Sequence, residues 1–367
     1  MGTVPAAYAW EPTDEQIAAR YEVALDRVVR FDLNTSPGPP PLAARILAAG
    51  DFGRSVSEYP PSDYRQLVEA AAEAYRIDPA LLLVGAGADE VLEVVVKTWL
   101  PPGGTAVVPE PTYAMHRVLT EQRPARVIPV LRLGPDAGYA LDLGAIRAAA
   151  RGAHLVWLCD PNNPTGLAEP DGAIAALLGW LAADARADDR AAPVVVVDEA
   201  YAEFAGRPLV DLDRDYPRLI IVRTLSKAYA LAGIRVGFAI AGRATIAAME
   251  PYRPPGSLAV ISVAIGAEAL RDRPAMLANV ARLAAERERL AGALAAMGWT
   301  VRPSITNFLL VNAGSAARAG AVADGLCRAG LVPRVFPAGH PLADHLRLTV
   351  RSAADDDRLL AALRSFA

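Results

Sequence analysis

Between about residues 46 and 250, short runs of consecutive apolar residues alternate with stretches of helical character. The runs are LLLVG (81–85), TAVVP (105–109), LVWLC (155–159), VVVVDEA (194–200), RLIIVRT (218–224) and GIRVGFAIA (233–241). A strand with one face in water alternates apolar and polar residues. A strand apolar at nearly every position is covered on both faces, which is the condition of a parallel sheet wrapped by crossover helices. The expected fold class is therefore α/β, with a large domain built on a mostly parallel sheet covered by helices and a smaller α+β domain. Residues 1–45 form an N-terminal arm that contributes to the small domain, 46–254 the large domain and 255–367 the small C-terminal domain. The first part holds an amphipathic helix and its exit (EPTDEQIAARYEVALDRVVR, 11–30) and a Pro/Gly-rich link (FDLNTSPGPPP, 31–41). The last holds a long amphipathic helix (278–298), strand-like NFLLVNAG, LVPRVF and HLRLTV, and a final helix from residue 354.

Composition limits what such a chain does. At 367 residues it has ample length for a core and for two domains. Net charge is −4, without basic bias, so nucleic acid is not an expected partner. Cys159 and Cys327 are isolated, and His116, His154, His340 and His345 show no ligand spacing, so no metal and no disulfide framework is expected. The first residues lack a charged start followed by a long apolar run, and no apolar run approaches the ~20 residues of a membrane span. The expectation is a cytoplasmic enzyme without a membrane partner.

The basic residues are distributed unevenly by type: 35 are arginine and two are lysine, Lys97 and Lys227. Arginine keeps its proton, whereas lysine can lose it, act as a nucleophile and form a Schiff base with a carbonyl. Lys97, within VLEVVVKTWL, reads as a surface helix lysine. Lys227, within TLSKAYALAGIRVGF, has polar company. LVWLC runs into Asp160, Pro161, Asn162, Asn163, Pro164, Thr165 and Gly166. VVVV runs into Asp198, Glu199, Ala200 and Tyr201. RLIIVRT runs into Leu225, Ser226 and Lys227. Open α/β sheets bind ligands outside the carboxyl ends of their strands, so these three ends share one crevice. Taken singly, PNNPTG is a good turn and DEAY a helix cap.

A fourth strand end, LLLVGAGADEVLEVVVK, reads as strand, glycine turn and helix. Free N–H groups and Asp89 lie at the helix start, where an anion is favoured. The dinucleotide fingerprint fails because Glu90 stands where its third glycine belongs, after Gly85 and Gly87. The turn suits one phosphate; alternatively it is simply a tight connection.

PNNPTG, VVVVDEAY, TLSKAYALAGIRVGF and HLRLTV, in this order, resemble the fold-type I pyridoxal-phosphate aminotransferases (class I/II), within them most nearly the histidinol-phosphate aminotransferases. The resemblance runs from about FDLNTSP to the C-terminus. It implies pyridoxal 5′-phosphate as cofactor, with Lys227 as the lysine that binds it and moves the substrate proton. Asp198 pairs with the pyridine nitrogen. Tyr201 and Asn163 bind the ring's phenolic oxygen, and Tyr113 stacks on the ring. Ala88 and Asp89 offer backbone N–H groups to the phosphate, with Thr224, Ser226 and Arg235 completing the cup. Tyr59 reaches the phosphate of a neighbouring subunit, implying a homodimer with shared active sites. Arg347 and Arg334, with Asn163, match the substrate-anion residues, and the small-molecule partners are an amino donor and a 2-oxo acid. Three features depart from the pattern: LNTSP at 33–37, Arg351 where glycine is usual, and the N-terminal segment YAWEPTDEQIAARY.

The implied activity is transamination of histidinol phosphate with 2-oxoglutarate, in histidine biosynthesis. The alternatives are an aromatic or other amino-acid aminotransferase and a threonine-phosphate decarboxylase-like enzyme. A guanidinium fork suits phosphate and carboxylate alike, so the two arginines do not choose between donors. A non-catalytic homologue is opposed by the presence of Lys227, Asp198, Asn163 and Tyr201, and a nicotinamide oxidoreductase by the failed glycine fingerprint.

Overall fold

The computed structural model describes residues 8, 10–206 and 216–366; the N-terminal residues read above for a signal sequence lie largely outside these. Twelve strands occur among the described residues: β1 (Val29–Phe31), β2 (Leu82–Gly85), β3 (Thr105–Glu110), β4 (Arg126–Leu131), β5 (Leu155–Cys159) and β6 (Val194–Asp198). They continue as β7 (Leu219–Thr224), β8 (Gly237–Ala241), β9 (Thr300–Val301), β10 (Phe308–Asn312), β11 (Leu331–Val335) and β12 (His345–Thr349).

The larger sheet has the order β2-β8-β7-β6-β5-β3-β4. Its strands run parallel except β8, which is antiparallel to both neighbours. Continuous apolarity has the expected meaning. On β6, Val194 and Val196 face one helical layer and Val195 and Val197 the other; on β5, Leu155 and Trp157 oppose Val156 and Leu158. Helix Gly87–Trp99 covers the first face through Val91, Leu92 and Val95. Helices Arg65–Tyr75, Ala173–Ala187 and Val260–Arg271 cover the second. Residues on both sides of the boundary expected at 254 thus share one layer. Helix Arg273–Ala296 then passes from that core, at Met276, to a separate one at Leu290 and Leu294.

That second core lies on the five-stranded sheet β1-β11-β12-β10-β9, where only β1 pairs in parallel fashion. The N-terminal part therefore joins the C-terminal unit through β1 and β11. Residues 32–36 leave β1 and run directly to the end of the large sheet. Among the described residues, no helix is long and apolar enough to cross a membrane, and no group of three metal-ligating side chains forms.

Candidate active site

β5, β6 and β7 are parallel neighbours, so their carboxyl ends lie on one edge of the large sheet. β2 runs in the same sense beyond β8, and the turn after it opens on that edge. Asp198 closes β6 with its side chain buried. Its Oδ1 accepts the N–H of Ala200 at 3.1 Å, and its Oδ2 lies 3.3 Å from Nε2 of His116. His116 is fully buried and stacks on Trp157, with centroids 5.0 Å apart. It meets Tyr113 edge-on. Glu199, one residue on, turns instead to Arg223 at 2.6 Å, which also holds Glu203 at 3.0 Å. Burial pushes the Glu199 carboxyl up to about 7 against the pull of Arg223. Strand alternation separates the two adjacent carboxylates into a site residue and a core ion pair.

Lys227 follows β7. Its Nζ approaches the carbonyl oxygen of Leu33 at 3.4 Å and stands 5.9 Å from the centroid of Tyr201. Burial lowers its ammonium group to about 8, with Arg347 and Arg235 adding to the effect and Asp89 and Asp198 opposing it. Lys97 pairs with Glu93 at 2.7 Å, one turn away on the helix surface.

Backbone geometry around the glycine turn makes a cradle. Gly87 has φ +84°, and a Cβ there would fall 2.4 Å from Nη2 of Arg235. A Cβ on Gly237 would fall 2.6 Å from the nitrogen of Ala88. Glu90, the residue that breaks the dinucleotide fingerprint, accepts the Ala86 N–H at 2.7 Å and the Ser257 hydroxyl at 2.8 Å. This leaves the next N–H groups of the helix, those of Ala88 and Asp89, without intrahelical partners. Arg235 is half-exposed and touches the Asp89 carboxylate at 3.2 Å. The same carboxylate accepts the Tyr113 hydroxyl at 2.9 Å. Thr224 and Ser226 are linked through their hydroxyls at 2.9 Å.

The small sheet supplies the opposite wall. Arg334 on β11 and Arg347 on β12 are directly paired positions. Arg347 is buried, donates to Asn163 Oδ1 and to the carbonyl of Asp32, and lies over Phe308 with its Cζ 5.4 Å from the ring centroid. Burial lowers its pKa. Asn34 donates to the Tyr201 hydroxyl at 2.8 Å, and burial pushes that phenol up. Arg334 pairs with Glu11, which also accepts the Tyr8 hydroxyl at 2.7 Å. Tyr59 is 85% exposed beside Gly256, and among the described residues its hydroxyl bonds to nothing in this cluster.

The structure therefore brings together Lys227, Asp198, Tyr201, Asn163, Tyr113, Ala88, Asp89, Thr224, Ser226, Arg235, Arg347 and Arg334, and leaves Tyr59 on the surface. Sequence reasoning did not single out His116, Asn34, Glu11 or Tyr8 as site residues. Only His116 carried a local signal, a polar residue one helical turn after Tyr113. Arg351, one of the departures, donates to the carbonyl and hydroxyl of Thr35 at 3.0 and 3.2 Å. Thr35 lies in LNTSP, another of the departures, so these two unusual features touch.

The family model "Aminotransferase class I and II" matches residues 27–365. The chain is 36% identical over 351 residues to a histidinol-phosphate aminotransferase of Symbiobacterium thermophilum, covering 94% of this chain and 92% of that one. It is 37% identical over 350 residues to one of Xylella fastidiosa, covering 93% and 91%. Among solved structures, a histidinol-phosphate aminotransferase of Sinorhizobium meliloti in complex with pyridoxal-5′-phosphate superposes with a TM-score of 0.84 at 28% identity, covering 98% of this chain and 95% of that one.

Proposed function

This chain belongs to the class I and II aminotransferases, pyridoxal-phosphate enzymes that pass an amino group from a donor to a 2-oxo acid, and we propose that it acts on L-histidinol phosphate with 2-oxoglutarate as acceptor. The observation that carries this is the placement of Lys227. Its amine feels Asp198 and Asp89 together with Arg235 and Arg347, and Arg347 is paired in register with Arg334.

The residues present fit the cofactor. Arg235 contacts the Asp89 carboxylate and the Ala232 carbonyl and keeps further N–H donors, and the cradle beside it has no room for a Cβ at Gly87. Ala88 and Asp89 N–H groups, the Ser226 hydroxyl held by Thr224, and Arg235 would hold the cofactor's phosphate. Asp198, which lies 3.3 Å from His116, would accept the pyridine N–H and keep that nitrogen protonated. Tyr113, anchored through Asp89, would cover the ring, and Asn163 and Tyr201 would hold the ring oxygen. Pyridoxal 5′-phosphate, when bound, supplies the carbonyl that captures amines and the electron sink for the pair released at the donor's Cα. Lys227 takes the Cα proton, and an amine lowered to about 8 has a usable neutral fraction near neutral pH. Arg347 and Arg334 grip the donor's anion and turn its Cα–H toward Lys227.

The likeness to histidinol-phosphate aminotransferases over nearly the whole chain supports the donor. Tyr59 reaches the cradle of a second copy, making a cytoplasmic homodimer. The visible spectrum of the purified protein with pyridoxal phosphate tests the reading. The protein-bound cofactor band should convert on adding L-histidinol phosphate and return with 2-oxoglutarate. A band indifferent to that donor would remove it. Release of CO₂ from phosphothreonine would assign decarboxylation instead.

A further inference from the structure

Arg334 and Arg347 receive phosphate and carboxylate equally well; Glu11 does not. Glu11 lies in the N-terminal segment, and its Oε1 contacts Nη1 of Arg334 and accepts the Tyr8 hydroxyl. Both members of the ion pair are mostly buried, with side-chain exposures of 27% for Arg334 and 17% for Glu11. Burial pushes the Glu11 carboxyl up, but the hydrogen bonds and Arg334 outweigh it and hold it below its ordinary value. It is therefore a full negative charge at neutral pH. Its position is fixed by the residues that follow it. The next residue, Pro12, offers its carbonyl to Arg30 at 2.9 Å. Thr13 then starts helix Asp14–Tyr21 with a reciprocal cap to Gln16.

We propose that Glu11 is a specificity-determining residue that filters donors by anion charge, admitting a dianion and rejecting a lone carboxylate. The inference rests on the reading of Arg334 and Arg347 as the substrate-anion residues. A donor that needs Arg334 must either displace Glu11 or bind beside it. Exchanging one carboxylate for another gains nothing at the guanidinium, and Glu11 is tethered while the donor is not. Binding beside Glu11 sets like charges together in a half-buried place, which is costly. A phosphate monoester brings nearly twice the charge and three acceptor oxygens, so it wins the exchange and uses both guanidiniums. 2-Oxoglutarate brings two separate carboxylates, one for each guanidinium, so it does not rely on a lone carboxylate. Glu11 thereby makes the choice that the two arginines cannot.

The test uses the holoenzyme and Glu11→Gln, which removes the charge but keeps a hydrogen-bonding side chain on Arg334 and Tyr8. Retention of the visible cofactor band establishes that the variant is folded. With 2-oxoglutarate fixed, the ratio of kcat/KM for L-histidinol phosphate to that for L-histidine should fall by about tenfold or more. The fall should come from a lower KM for L-histidine. An unchanged ratio, or a raised KM for both donors, would show that Glu11 only orients Arg334 and would overturn the proposal. A second measurement does not depend on the donor. Acetate and methyl phosphate are titrated calorimetrically into both holoenzymes at pH 8. Glu11→Gln should tighten acetate more than methyl phosphate. Failure of the wild type to use histidinol phosphate, together with selectively tighter acetate, would discard the donor and keep the filter. Equal effects on the two anions would discard the filter.

Discussion

Lys227 is held in an environment that disfavours its charged form, and this has a measurable cost to the fold. Its pKa is lowered from 10.5 to about 8 by burial first, then by Arg347 and Arg235, with Asp89 and Asp198 pulling the other way. A difference of 2.5 pKa units corresponds to about 3 kcal/mol at 1.36 kcal/mol per unit. Lys227 is only partly buried, and screening brings the expected effect down to about 1–2 kcal/mol. The direction follows from proton linkage. Between pH 8 and 10.5 the unfolded chain keeps the lysine proton that the folded chain has lost, so stability rises with pH across this window. Below pH 8 the full cost is present; above 10.5 both states are neutral and it has gone. Lys227→Met keeps the length and removes the titration. The cofactor-free variant should therefore be more stable than wild type by about 1–2 kcal/mol at pH 7, with the gap closing as pH approaches 10.5. Urea denaturation of both cofactor-free proteins, compared by transition midpoint at pH 7, 8.5 and 10, reads this directly. A variant less stable than wild type at pH 7, or a gap that does not change with pH, would refute the account of Lys227 as a desolvated amine.

Three further outcomes are expected. Gly87→Ala places a Cβ 2.4 Å from Nη2 of Arg235 at a φ of +84°, so the cofactor dissociation constant, read from the visible band, should rise about tenfold, with a loss of roughly 1–2 kcal/mol in stability. Asp198→Asn keeps the shape but removes the charge that faces His116 at 3.3 Å; bound cofactor should persist while kcat falls roughly a thousandfold, the size of effect seen when an oriented charge partner is lost. Tyr59, exposed on its own subunit, is tested by mixing Lys227→Ala chains with Tyr59→Ala chains. If Tyr59 serves the neighbour's site, each hybrid dimer contains one intact site and activity returns on mixing; if it acts within its own chain, no site is intact and mixing restores nothing.

What could be read from the sequence depended on range. β5, β6 and β7 announce themselves because every position is buried, and Asp198, Lys227 and the Asn162–Asn163 pair follow because a strand's end is fixed once the strand is. The helical setting of Lys97 marks it as a surface lysine, and it pairs with Glu93. β8 was apolar in the same way, and nothing in GFAIA states its direction. The information lay in the link before it. A parallel strand needs a crossover of a dozen or more residues, usually a helix, and the segment carrying Lys227 offers only a short 3₁₀ turn at Ala232–Ile234. Asn34 meets Tyr201 across 167 positions, and Glu11 meets Arg334 across 323. Such contacts have no local periodicity or spacing to betray them. They arise because β1 pairs with β11 and brings the start of the chain against its end.

That long-range pairing also accounts for how two weak polar groups come to aim at one point. Asn163 has one amide oxygen and one NH₂ group. Arg347, from the small sheet, donates to the oxygen, which leaves the NH₂ group as the free end. Tyr201 has one hydroxyl proton, and Asn34 donates to its oxygen at 2.8 Å, so the proton is free to point elsewhere. On the proposed reading both free donors face the ring oxygen of the cofactor. Neither residue orients itself: one is set from β12 and the other from the segment after β1. Moving the small sheet away from the large one would free the Asn163 amide to turn and would let Tyr201 spend its proton on water. Donor recognition at Arg347 and cofactor recognition at Asn163 are then not separate tasks, because the same guanidinium touches both. An Arg347 variant should therefore alter the cofactor's absorption even before any donor is added, which a residue confined to gripping substrate would not do.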